Sequence, residues 1–123
     1  MSASDGFIAL LQDLLAGAVP FEGRRMFGGA GLFSRGVMFA IVIDDALYLK
    51  ADAVTATDFE REGLAPFSYA RNGRTVALSY WRAPERLFDD PDAMLAWAAR
   101  ALDVARRTAA RAPRAASRKR RAS

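Results

Sequence analysis

Cysteine and histidine are both missing from this chain of 123 residues. Without cysteine there is no disulfide, no thiolate nucleophile and no sulfur ligand for zinc. Without histidine there is no imidazole base, no His–Asp relay and no histidine metal ligand. Long apolar runs are missing too, since Val37 to Ile43 is far too short to span a bilayer. The start, Met1-Ser2-Ala3-Ser4-Asp5, lacks the cationic and apolar stretches of a secretory signal. These absences point to a cytoplasmic protein with no membrane partner. The hydrophobic share is 52%, and a chain of this length forms one compact domain that needs no covalent or metal staple.

The net charge of +4 divides unevenly along the chain. Arg106, Arg107, Arg111, Arg114, Arg118, Lys119, Arg120 and Arg121 are eight of the eighteen cations, and no acid follows Asp103. Residues 1–105 therefore hold ten cations against fourteen acids, a net of −4. The body is mildly acidic and the tail strongly basic, so the high overall pI describes the tail alone.

Phe7, Ile8, Leu11, Leu14 and Leu15 recur at helical spacing behind a capping Ser4 or Asp5, which predicts a helix over about residues 5–16 ended by Gly17. From Arg24 to Lys50 the pattern is that of strands. Ser34-Arg35-Gly36 and Asp44-Asp45 read as tight turns between them. Val37 to Ile43, apolar throughout, suits a central strand covered on both faces. Asp52 caps a short helix over roughly 53–62 ended by Gly63, and Asn72-Gly73 joins strands 67–71 and 74–81. Asp90-Pro91 opens a last amphipathic helix that runs toward Ala110 and that Pro113 ends at the latest. The order α-βββ-α-ββ-α predicts an α+β domain, residues 1–110, with a five-stranded antiparallel sheet and helices packed on it. Residues 111–123 read as a basic Ala/Arg-rich disordered tail.

Arg25-Met26-Phe27-Gly28-Gly29-Ala30-Gly31-Leu32-Phe33 is followed by Met38-Phe39-Ala40, Leu47-Tyr48-Leu49-Lys50, Pro66-Phe67-Ser68-Tyr69, Ser79-Tyr80-Trp81 and Trp97-Ala98. In order and spacing these resemble the TfoX N-terminal domain family, over about Phe7 to Ala105. The resemblance implies a regulatory or interaction domain rather than an enzyme. The family's namesake is a positive regulator of competence genes that acts alongside the cyclic-AMP receptor protein, and it carries a second helical domain. No cofactor is implied.

Each candidate chemistry has a plainer counterpart. Asp89, Asp90 and Asp92 could gather a cation, but helix capping and dipole complementarity account for them with no ion and are the better reading. Gly28-Gly29-Ala30-Gly31 lacks both the dinucleotide fingerprint and the Gly-Lys-Ser/Thr ending of a phosphate loop, so a bulge, a sharp sheet twist or close packing under an aromatic ring is the better reading. Arg24-Arg25 beside Phe27, and Tyr80-Trp81-Arg82, have the composition of a stacking surface for nucleic acid, against which the acidic body counts. No catalytic residue and no metal ligand are assigned. The favoured contact surface is Met26, Phe27, Gly28 and Gly29, for an unidentified protein partner. The alternative is an accessory protein that binds DNA or RNA non-specifically through the eight tail cations, because phosphate contacts carry no base information. A short sheet with an open edge often dimerises, so a homodimer, in a mode that no sequence feature fixes, is a further expectation.

Overall fold

The computed structural model describes residues 3–16, 19–26 and 28–122, with side chains as far as residue 111. Helix α1 (Asp5–Leu15) begins at Ser4, whose hydroxyl accepts the Phe7 N–H at 3.1 Å. The stop expected at Gly17 falls outside the described residues. Strands β1 (Glu22–Met26), β2 (Gly29–Ser34), β3 (Val37–Ile43) and β4 (Ala46–Lys50) follow as a meander. After α2 (Ala56–Arg61) come β5 (Pro66–Arg71) and β6 (Arg74–Arg82), a 3-10 turn over Glu85–Asp89, and α3 (Pro91–Ala122). The sheet is antiparallel throughout and its strand order is β1-β2-β3-β4-β6-β5.

The sheet therefore has six strands and not the five expected. The difference lies in the glycine run. Gly28 adopts φ +75°, and Met26 pairs with Gly29, so the chain reverses between them and the expected single strand becomes the β1–β2 hairpin. The other three hairpin turns follow the sequence. Arg35-Gly36, Asp44-Asp45 and Asn72-Gly73 each place both central residues at positive φ, the conformation whose twist matches paired strands.

α1 and α3 cover one face of the sheet. Leu32, Phe39, Ala40, Val42, Leu47 and Leu49 are buried there with Leu11, Leu15, Met94 and Ala98. A register shift between Leu32 and Phe33 opposes Leu32 to Ala40 and Phe33 to Met38. The extra residue, Phe39, thereby turns to the helical side beside Ala40, while Met38 goes to the other face. α2 is short and held mainly by Phe59, whose ring meets Trp97 edge-on at 5.0 Å and Trp81 at 6.0 Å. Asp52 accepts the Val54 and Thr55 N–H groups in the turn before α2, so the regular helix starts later than its cap. At α3, Asp90 accepts the Ala93 N–H at 3.2 Å, as an N-cap preceding Pro91 should. The backbone of α3 passes through Pro113 to Ala122, beyond the stop expected there. Alanine and arginine, which surround Pro113, are among the strongest helix formers and offset its missing donor.

Candidate functional site

Register assigns every strand residue to a face. The face away from the helices carries Met26, Met38, Ile41, Ile43, Phe67, Tyr69, Leu78 and Tyr80, which line an open apolar cleft of about 400 Å³. β3 forms its floor, with Ile41 5% and Ile43 8% exposed although no described helix covers them. Neighbouring side chains on the same face do the covering. The expectation of a strand buried on both faces thus holds for Ile41 and Ile43, but the cover is a wall of side chains and not a layer of structure.

Gly31 allows this wall to close. A Cβ on Gly31 would lie 2.7 Å from Met38 Sδ and 3.1 Å from Met26 Sδ, so both thioethers occupy the space a side chain would take. Opposite, Tyr80 donates its hydroxyl to the Met38 carbonyl at 3.1 Å, and burial pushes that phenol up to about 12. Lys50 Nζ lies 5.0 Å from the centre of the Tyr80 ring and 2.6 Å from Ser79 Oγ. Burial lowers the Lys50 pKa. Tyr48 and Phe67 meet edge-on at 5.3 Å beside them.

Of the residues favoured from sequence, Met26 is half-buried in the cleft wall, and Gly28 is an exposed turn residue. Gly29 is buried, and a Cβ there would run into the Val42 carbonyl, so its requirement is packing. Phe27 lies outside the described residues. The Arg24-Arg25 pair is split between faces. Arg24 lies over Phe33 at 4.5 Å, whereas Arg25 reaches the Ala3 carbonyl and pairs with Asp5 at 2.6 Å, tying β1 to α1. Of the tail cations, Arg107 is engaged by the body, 3.0 Å from Asp103 and 3.3 Å from Asp52; the Asp103 contact first, then Asp52, raises its pKa. Arg106 and Arg111 are exposed, and the side chains of Arg114, Arg118, Lys119, Arg120 and Arg121 lie outside the described residues. Asp90 is the α3 cap, and among the described residues no three acidic side chains gather in a metal-binding arrangement. No described helix is long and apolar enough to cross a membrane.

The cleft itself was missed at the level of sequence, where its residues pass for core. The available signal was β6, in which Val76, Leu78 and Tyr80 alternate with Ala77 and Ser79, small residues that ask for no cover.

Residues 13–105 match the family described as the TfoX N-terminal domain. The chain belongs to the TfoX N-terminal domain family. It is 29% identical over 86 residues to the DNA transformation protein TfoX1 of Aliivibrio fischeri, which spans 70% of this chain and 41% of that relative. It is 34% identical over 77 residues to Protein Sxy of Escherichia coli, across 63% of this chain and 37% of Sxy. The chain thus covers about two fifths of the length of these relatives. The matched region spans all six strands and both faces of the sheet, including the cleft.

Proposed function

We propose that this chain is a regulatory TfoX-like domain, not an enzyme, which acts through protein contacts in the control of DNA uptake or of transcription. The observation that carries this reading is the open apolar cleft on the sheet, within the region matched to a family whose relatives include a DNA transformation protein. An uncovered apolar surface costs solubility and is retained where something binds it. The cleft is lined by thioethers, aliphatic groups and aromatic rings, and methionine in such a surface adapts to protein side chains. Deletion in the native host, read by transformation frequency and transcript profiling, tests the reading. A changed transcript set is expected, and complementation by the full chain reverses it. Unaltered transcripts and unaltered uptake would sink it, as would turnover of a small molecule traced to the domain.

A second reading is favoured by the run of eight cations without an acid from Arg106 to Arg121. In that reading the end of α3 tethers the domain to nucleic acid, and binding is independent of sequence and steeply weakened by salt. Truncation of α3, argued in the Discussion, tests it.

A further inference from the structure

The cleft face has an electrostatic character opposite to that of the body. By register the strand residues on this face include Arg24, Lys50, Arg71, Arg74 and Arg82, with Glu22 paired to Arg24, Glu85 paired to Arg82 and the Lys50 ammonium bonded to Ser79. Residues 1–105 as a whole are net −4, so cations are concentrated here against the general trend. Arg71 and Arg74 are direct cross-strand partners at the tip of the β5–β6 hairpin. Like charges directly opposite one another destabilise a hairpin. Neither has an ion-pair partner among the described residues. They extend the same face that carries Tyr69, Leu78 and Tyr80 into the cleft.

The floor strands exclude one mode of binding. β3 and β4 are paired on both sides, so the cleft offers no free backbone to an extended strand. An occupant there must satisfy its own backbone, which a helix does. β2 and β6 stand three strand spacings apart in the sheet order, roughly 14 Å, which admits a helix of about 10–12 Å diameter. A nucleic-acid strand would need open ring faces to stack on. Here cations already lie over Phe33, Tyr80 and Tyr48, at 4.5, 5.0 and 6.0 Å from the ring centres. Tyr69, 39% exposed, has no cation over its ring among the described residues.

We propose that the uncovered sheet face docks an acidic amphipathic helix of a partner protein, its apolar side chains in the cleft between Met26 and Leu78 and its carboxylates against Arg71 and Arg74. The inference rests on the protein-interaction reading above and names the partner's chemistry: apolar residues at helical spacing, flanked by Asp or Glu.

The test is a selection from displayed random peptides about four helical turns long, against the full chain, followed by titration of the enriched peptides by fluorescence anisotropy. Enriched sequences are expected to carry apolar residues at i, i+3, i+4 or i+7 together with acidic ones. Affinity should fall about tenfold or more with Arg71→Glu/Arg74→Glu, which reverses the field at the exposed tip. The Arg71→Lys/Arg74→Lys pair should retain most of the binding. Leu78→Asp should abolish it, and the methyl resonances of Met26, Met38, Ile41 and Ile43 should shift on titration. Circular dichroism of each variant checks the fold. The proposal is overturned by a lack of enrichment, by enriched peptides without acids, or by binding indifferent to both variants. Preferential binding of a single-stranded oligonucleotide to this face would also overturn it, as would a second copy of the chain covering Leu78 in solution. Such a failure alongside altered transcripts in the deletion strain would remove the helix dock and leave the regulatory reading in place.

Discussion

Gly29 and Gly31 lie two residues apart on β2, yet a methyl group would meet different obstacles at each. At Gly29 the obstacle is the Val42 carbonyl, a backbone atom in the middle of the sheet that cannot step aside. At Gly31 it is the thioethers of Met38 and Met26 and the Phe33 ring, all side-chain atoms. Gly29→Ala is therefore expected to cost about 2–3 kcal/mol, and Gly31→Ala less than about 1 kcal/mol, because methionine repacks readily. Urea unfolding of both variants checks the order, and the reverse order would contradict the assignment of the two glycines. Tyr80 gives a second test at this scale. Its phenol is held near 12 by burial against an ordinary value near 10, so the unfolded chain releases this proton first. Stability from this group is intact below pH 10 and declines as the pH rises toward 12. Lys50, lowered by burial, acts in the opposite sense, since the folded state gives up its proton before the unfolded one does. The difference between wild type and Tyr80→Phe isolates the tyrosine. The gap in urea midpoint between them should narrow as the pH rises through this window, and a constant gap would show that Tyr80 is not buried as described.

Among the elements, α2 depends most on a single side chain. Six residues do not sustain a helix in water, and Phe59, 3% exposed between Trp81 and Trp97, holds it down. The ion pair of Asp58 with Arg100 at 2.6 Å is half-exposed and adds little by comparison. Phe59→Ala should cost about 3–5 kcal/mol, with loss of the near-ultraviolet signal from the two tryptophans; a cost under about 1 kcal/mol would mean that the ring is not a core contact. Elements of this kind were legible in the sequence to different degrees. The three hairpins turning at Arg35-Gly36, Asp44-Asp45 and Asn72-Gly73 could be read because positive φ is written in glycine, asparagine and aspartate. The β1–β2 hairpin was hidden because three glycines in four positions serve different ends. Gly28 turns the chain, Gly29 clears a carbonyl and Gly31 admits two methionines. A pattern of residue types does not say which glycine is which. The cleft was illegible for a related reason. Alternation separates the faces of β6 correctly, but whether a helix lies on a given face depends on where α1 and α3 pack, which is a tertiary fact.

For the whole molecule, α3 joins the acidic body to the basic end, and the residue at which one gives way to the other can be tested. Ala105 is the last residue of α3 in the buried core, and Arg107 is still held by Asp103 and Asp52. Beyond Thr108, which bonds back to its own helix at Val104, α3 makes no ion pair or hydrogen bond to the body among the described side chains, which end at residue 111. Truncation after Arg111 should therefore leave the stability of the domain within about 0.5 kcal/mol of the full chain. If the eight cations bind nucleic acid, Arg107 contributes least, because two carboxylates already hold it. Truncation removes Arg114, Arg118, Lys119, Arg120 and Arg121. With about six charges engaged on duplex DNA, log affinity of the full chain should fall against log salt with a slope near −5. The truncated chain keeps only Arg106, Arg107 and Arg111 of the run, so its slope should flatten to about −2 or less and its binding should vanish near physiological salt. A full chain that ignores duplex DNA at low salt would end the tether reading. Binding that survives truncation with an unchanged slope would instead move the contact to Arg24, Arg71, Arg74 and their neighbours on the sheet.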